Sequence, residues 1–165
     1  MSNKAIIIER LRAMDVPFEL YEHAPAYTME ECLALPFAQA DVTICKNMLL
    51  CNAKETWLYL TLAGKRFRTA TVSKLIGTSR LQFAQENLLM ELLETESGSL
   101  APFGLWFDSA HKVRFAVDEA VRRTRRIAFH PCDNTATVVF RQEDFWNRIV
   151  PEFGAEPLFL TVPAE

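Results

Sequence analysis

The sequence predicts an α+β domain: a mixed β-sheet with helices packed against it. Three observations predict it. Two runs rich in β-branched and large apolar residues, VTICKNMLLC (Val42 to Cys51) and TWLYLTL (Thr56 to Leu62), flank the short polar segment NAKE, the pattern of neighbouring antiparallel strands. Other segments, Lys4 to Met14 and Gln85 to Glu94, carry apolar residues at helical spacing instead. Strands and helices then alternate irregularly, unlike the strict βαβ order of a doubly wound fold. A chain of 165 residues, 50% hydrophobic and 24% charged, is one soluble domain that buries about two thirds of its unfolded surface. The expectation is a single domain over residues 1–165.

Taken in order, Ile7, Ile8, Leu11 and Met14 mark a first helix that Pro17 closes. Phe18 to Glu22 alternates and reads as a short strand. Thr28 followed by Glu31 is a capping box, and predicts a helix to about Leu35. After the two long strands, GKRFR (Gly64 to Arg68) is a polar connection, and a helical stretch from Ser73 to Ile76 stops at Gly77. Leu81 to Phe83 is a further short strand. Leu88, Leu89, Leu92 and Leu93 line one face of the next helix. SGSLAPFGLW (Ser97 to Trp106) reads as a glycine and proline loop between apolar flanks. Strands follow at Val113 to Val117, Ile127 to Phe129 and Thr135 to Phe140, then a last helix at Glu143 to Val150.

The net charge of −3 excludes a protein that coats nucleic acid by bulk charge. Four cysteines at irregular spacing, with no C-x-x-C pair, fit buried thiols in a reducing compartment rather than a disulfide framework or a zinc site. The start MSNKAIIIER is too short an apolar run for a signal peptide, so a cytoplasmic protein without membrane association is expected. His23, His111 and His130 lack ligand spacing, and neither glycine-rich nucleotide motif occurs; no metal and no cofactor are expected. The serines lack a G-x-S-x-G elbow.

Lys46 is the most informative departure from pattern. It lies inside an apolar strand, sharing one face with Ile44, Met48 and Leu50 while Cys45, Asn47 and Leu49 take the other. A buried lysine is costly unless paired or facing a cleft. The alternatives are a site cation or a lysine that snorkels at, and blunts, a sheet edge. The loop from Gly98 to Pro102 is either an ordinary connection or a turn whose amides converge on an oxyanion. His130, biased to extended backbone by Pro131, is a base, a neutral hydrogen-bond partner or a structural cap. Asn134 and Thr135 either bind substrate or satisfy their own turn. Cys45 and Cys132 are candidate nucleophiles beside His130, against the commoner buried, inert thiol. The basic runs KRFR (Lys65 to Arg68) and RRTRR (Arg122 to Arg126) are solvated faces or a handful of phosphate contacts.

Four segments in order, HAPAYTMEE (His23 to Glu31), CKNMLL (Cys45 to Leu50), SGSLAPFGL (Ser97 to Leu105) and FHPCDNTATV (Phe129 to Val138), resemble the signatures of the YbaK family of aminoacyl-tRNA editing domains. The similarity extends from about Lys4 to Gly154, and its nearest branch is that of freestanding proteins related to the editing insertion of prolyl-tRNA synthetase. The resemblance implies a YbaK-like fold, a pocket for the aminoacyl group and the 3′ terminal adenosine, and hydrolysis of the ester between them, with alanine on proline tRNA as substrate. It assigns the family's lysine to Lys46, its following asparagine to Asn47, its glycine loop to Gly98 through Pro102 and its histidine to His130. It implies substrate-binding roles for Asn47, Pro102, Asn134 and Thr135, and pocket walls at Tyr27, Phe103 and Trp106, positions that also suit plain core packing. Ala24, Ala26, Met48 and Cys51 depart mildly from the family pattern and bear on which amino acid fits. The implied partner is the 3′ end of aminoacylated tRNA, with a synthetase or elongation factor beside it. The competing reading is a non-catalytic module that binds a tRNA end or an amino acid.

Overall fold

Period-two alternation sorts the strand residues onto two faces, and everything else packs against one or the other. The computed structural model describes residues 2–25 and 41–163; the expected helix after Thr28, and Tyr27, lie outside them. Helix α1 (Asn3–Ala13) starts where the Ser2 hydroxyl accepts from the Ala5 amide, a side-chain cap for one of the orphan donors of the first turn. Strands β1 (Glu19–Glu22), β2 (Val42–Cys51) and β3 (Thr56–Leu62) follow. The turn between β2 and β3 is closed by Asn52, whose Oδ1 accepts from the amides of Lys54 and Glu55. Helix α2 (Thr69–Ile76) ends at Gly77 with φ 86°, the left-handed cap that favours glycine. Then come β4 (Gln82–Phe83), α3 (Glu86–Leu93), β5 (Val113–Asp118), β6 (Arg126–Phe129), β7 (Ala136–Arg141) and β8 (Pro157–Leu160).

The strands form one sheet of eight in the order β1-β7-β6-β2-β3-β5-β8, with β4 paired to β2. Pairings of β2 with β6, β3 with β5 and β5 with β8 are parallel; β2 with β3, β6 with β7 and β1 with β7 are antiparallel. The sheet is therefore mixed, as the irregular element order requires. No helix among the described residues is long and apolar enough to cross a membrane.

One face carries the main core. Leu49, Leu58, Leu60, Phe115, Val117, Ile127, Phe129, Val138 and Phe140 point there and meet Ile7 and Leu11 of α1 and Leu89 and Leu93 of α3. The opposite face is divided. Leu50, Trp57, Tyr59 and Ala116 pack under Val72 of α2, while Val42, Ala128 and Val139 form a small patch with Tyr21 and Ile44.

Three segments differ from the sequence expectation. The loop after α3 is two 3₁₀ turns, Ser97–Ser99 and Pro102–Phe107. The last helix begins as α-helix at Gln142–Asp144, widens to a π turn at Phe145–Ile149 and tightens to 3₁₀ at Val150–Phe153. Phe145, Trp146 and Ile149 are all buried in that wide turn, and Pro151, lacking an amide, prevents a regular continuation. Strand β8 was hidden by its own composition: a four-residue edge strand that opens with proline tolerates the missing donor and resembles a tail.

Phe103 corrects an expectation as well. Its side chain is 0% exposed, ringed by Phe129, Phe140, Phe145 and Phe153 at centroid distances of 5.9 to 6.4 Å. It is a core residue rather than a pocket wall, because the 3₁₀ turn beginning at Pro102 points it into the sheet. Pro102 is buried with it. Trp106 packs against Phe103 and Phe153 at 5.6 and 5.2 Å and is covered outside by the Arg10 guanidinium. Replacing Phe103 by Ala is expected to lower the unfolding free energy by about 3 to 5 kcal/mol, read by chemical denaturation; a loss below about 1 kcal/mol would contradict this packing.

Candidate active site

The site is built on the divided face. Strand β2 lies inside the sheet, with β6 on one side and β3 on the other; at Lys46 it is paired with Thr61 of β3, while its pairing with β6 ends two residues earlier, at Ile44. Its side chain follows Ile44 onto the divided face, and its Nζ donates a hydrogen bond to the carbonyl of Lys65, in the connection after β3. Partial burial pulls the Lys46 pKa down from its ordinary value, because desolvation disfavours the charged form.

The divided face also carries a histidine network. In the parallel pairing of β2 with β6, Ile44 is opposite Ala128; Lys46 lies two residues beyond Ile44 in β2, and His130 follows the end of β6 at Phe129. The His130 Nδ1 is 2.8 Å from the Ala136 carbonyl. A carbonyl only accepts, so Nδ1 carries the proton and the neutral ring bears its lone pair on Nε2. His23 is held likewise, Nδ1 donating to the Ala24 carbonyl at 2.8 Å and Nε2 at 2.9 Å from the Thr137 hydroxyl. The oxygen of that hydroxyl also lies 3.3 Å from His130 Nδ1. The two rings, 5.9 Å apart between centroids, are thus linked through Thr137.

Burial is the main cause that lowers the His130 pKa; the nearby His23 lowers it further, while the bond to Ala136 and the Asp133 carboxylate oppose the shift. Near neutral pH His130 is a neutral base with an acceptor nitrogen. Cys45 and Cys132 are no nucleophiles in this setting: burial pushes both thiols up, Cys132 to about 12, so the reactive thiolate is absent at neutral pH.

The remaining predicted residues fall in two places. Gly98 and Asn134 line one open groove with Glu86, Asn87 and Met90, and Ser99, Asn134 and Thr135 line its neighbour with Cys132. The Gly98 turn and the segment after His130 are thereby brought together. The turn does not converge its amides outward, however. Ser97 N donates to Glu86 Oε2, Ser99 N to the Glu96 carbonyl and Leu100 N to the Ser97 carbonyl, so among the described residues the Gly98 amide is the one of these four successive amides left out of the bonding. The residues after it, Leu100, Ala101 and Phe103, enter the main core, on the face opposite Lys46. Thr135 bonds Asp133 Oδ1 through both its amide and its hydroxyl, at 2.8 and 2.5 Å, which is the turn-closing alternative.

Asn47 points away from Lys46, as alternation dictates, and its Oδ1 is buried without a hydrogen-bond partner among the described residues. The basic runs are largely engaged. Lys65 pairs with Asp118 at 2.7 Å, Arg125 and Arg126 clasp Asp41, and Arg126 also reaches Glu19. The Arg126 and Arg125 hydrogen bonds hold Asp41 down to about 2. Arg122 lies over the rings of Phe159 and Trp146 at 4.6 and 5.4 Å. Sequence reasoning missed the roles of His23, Thr137, Lys65 and Asp118; the single available signal was the lone carboxylate ending the apolar strand VRFAVD.

Comparison with known proteins bears on what this face does. Residues 23–147 match the model of the aminoacyl-tRNA editing domain, and the chain is 34% identical over 146 residues to the prolyl-tRNA editing protein ProX of Acetoanaerobium sticklandii, covering 87% of this chain and 88% of that one. The chain belongs to the aminoacyl-tRNA editing domain family. Within it, the chain stands with the YbaK- and ProX-like prolyl-tRNA editing domains. It is also 29% identical over 164 residues to the prolyl-tRNA synthetase associated domain-containing protein 1 of Bos taurus, covering 95% and 94% of the two chains. A crystal structure proposed to be that of a trans-editing enzyme for prolyl tRNA synthetase superposes with a TM-score of 0.75 at 17% identity, covering 99% of both chains. At that identity the match speaks for the fold, and it is the mixed sheet with flanking helices described above. Membership places the chain among proteins that edit aminoacyl-tRNA, and the matched stretch contains Lys46, Gly98 and His130.

The burial of His130 has a measurable consequence. The unfolded chain protonates this imidazole near the ordinary histidine value, about 6.5, while the folded chain does so only at lower pH. Between the two values the unfolded state binds more protons, so this group's contribution to stability is full above the unfolded value and is lost as pH falls through the folded one. The stability of the His130→Asn variant is expected to depend less steeply on pH than wild type below about pH 6.5, measured by denaturant unfolding at several pH values; equal slopes would show that the ring is not buried neutral.

Proposed function

We propose that this protein is a cytoplasmic, trans-acting deacylase that hydrolyses alanine from mischarged proline tRNA. The observation that carries the reading is a partly buried, neutral histidine whose proton is fixed on Nδ1, on the sheet face that also carries the Lys46 amine. Family membership and the prolyl-tRNA editing role for which its relative ProX is named support the substrate class.

In this reading His130 Nε2 accepts a hydrogen bond from the attacking water and orients its lone pair toward the ester carbon. Water oxygen bonds to that carbon, the carbon–oxygen bond to the terminal ribose breaks, and the ribose oxygen leaves with a proton. Lys46 supplies positive charge to the oxygens near the scissile bond, and the Gly98 amide donates to the carbonyl oxygen as charge develops on it. Asn134, in the groove with Gly98, contacts the aminoacyl end. Selection is by size, since an apolar pocket separates neighbours in side-chain length by only about 1 to 3 kcal/mol per methylene, and excluding the larger cognate proline is easier than preferring it. The engaged basic runs leave little charge to grip a tRNA body, so a synthetase or elongation factor that delivers the acceptor end suits this protein.

The test is release of free alanine from Ala-tRNA(Pro) over time. Lys46→Ala is expected to lower kcat/KM by about 10²-fold or more, the size of a lost oxyanion-type partner, and His130→Ala to lower kcat. A folded Lys46→Ala protein with near wild-type release would remove the lysine from the mechanism. Tight binding of the tRNA with no release by the wild type would support the non-catalytic module instead.

A further inference from the structure

A row of polar side chains crosses the divided face through three adjacent strands. Lys46 of β2 is opposite Thr61 of β3, and the Thr61 hydroxyl donates to Asp118 Oδ2 of β5 at 2.8 Å. Asp118 is 1% exposed. Its Oδ1 accepts from the Ala120 amide at 3.0 Å, and its Oδ2 also takes the Lys65 ammonium at 2.7 Å. Lys65 completes its own coordination on the Val162 carbonyl at 2.8 Å. The carbonyl of this same Lys65 receives the Lys46 amine. One residue therefore holds Lys46 through its backbone and a buried carboxylate through its side chain.

The arrangement matters because Asp118 is the natural competitor for Lys46. Neighbouring strands lie about 4.8 Å apart, so two strand widths separate the backbones of Lys46 and Asp118, a span that a lysine and an aspartate close between them. A buried carboxylate attracts a cation strongly and is costly to leave unpaired. Lys65 occupies it, and among the described residues the acceptor that Lys46 meets is a carbonyl, which carries no net charge.

We propose that Lys65 is a positioning residue: its ammonium neutralises Asp118 and so keeps the Lys46 amine docked on the Lys65 carbonyl, instead of drawn sideways into an ion pair with that carboxylate. Thr61 and Ala120 hold the carboxylate in place without cancelling its charge; among the described residues Lys65 is the cation paired with it. This rests on the deacylase reading for its effect on activity, but not for its effect on structure.

The experiment compares Lys65→Met, Asp118→Asn and the double variant, with Lys65→Gln in place of Lys65→Met if the latter does not fold. Lys65→Met, or Lys65→Gln, is expected to lower kcat for Ala-tRNA(Pro) by about tenfold or more with KM little changed, the signature of a lost transition-state interaction. Adding Asp118→Asn is expected to restore most of that loss, because the competing charge is gone. In a crystal structure of the single Lys65 variant the Lys46 amine is expected on the Asp118 carboxylate. A Lys46 amine that stays on the residue-65 carbonyl there would overturn the proposal, as would a double variant no faster than the single one. If Lys46→Ala retains full activity, the deacylase reading of the lysine fails, and the position of its amine in the variant crystal still decides the positioning role.

Discussion

A charged side chain in the middle of a central strand has few places to go, and in this fold that constraint organises the whole divided face. At Lys46 β2 is paired with β3, and its pairing with β6 ends at Ile44, so the lysine lies inside the sheet rather than on an outer strand. Its backbone position commits it to the face of Ile44 and Met48. Water covers only part of it, and an ammonium deprived of water needs oxygen acceptors. The connection after β3 supplies one, and the shape of that connection depends in turn on the Lys65 and Asp118 pair. A single residue identity in β2 thus reaches across three strands to the carboxylate at the end of β5.

The other face makes this arrangement affordable. Its core joins leucines of the sheet to a cluster of phenylalanines centred on Phe103, with α1 and α3 above. Aromatic contacts of this kind are close-packed and resist small displacements, which fixes the strand register to which both Lys46 and His130 are tied. A polar site needs supports that do not relax when charge appears, and a sheet clamped by a dry core on its reverse side is such a support. The Gly98 turn takes part from both directions: its following residues anchor in the core, while Gly98 itself lines a groove with Asn134.

How much of this was legible follows from the range of each interaction. Strands β2 and β3 match their sequence limits to the residue because alternation and β-branching are local properties. Lys46 was visible for the same reason, as a local violation of a local pattern. The histidine network was not, since Thr137, His23 and His130 meet only after β1, β6 and β7 pair. Lys65 was misjudged within a run of cations, where composition suggests solvent, although its partner Asp118 is buried and fifty-three positions away. Phe103 went the other way: a conspicuous aromatic after a glycine loop suggested a ligand wall, but the 3₁₀ turn aims it inward. β8 and the π turn were hidden because proline and wide helical turns leave no periodic trace.

The two central groups also illustrate how one physical cause produces opposite chemistry. Desolvation lowers the pKa of Lys46 and of His130 alike, since both are charged when protonated. They start from 10.5 and 6.5, however, on opposite sides of neutrality. The same downward push acts on the lysine from far above neutrality and takes the histidine, already below it, further into its neutral form. Burial on this face therefore leaves His130 a lone-pair base, while the Lys46 amine is held on a carbonyl. That division of labour suits ester hydrolysis, in which negative charge grows on oxygen while a water must be held by an acceptor. It also explains why Asp118 has to be neutralised from elsewhere: an unpaired carboxylate on this face would pull the lysine away and raise the histidine, undoing both assignments together.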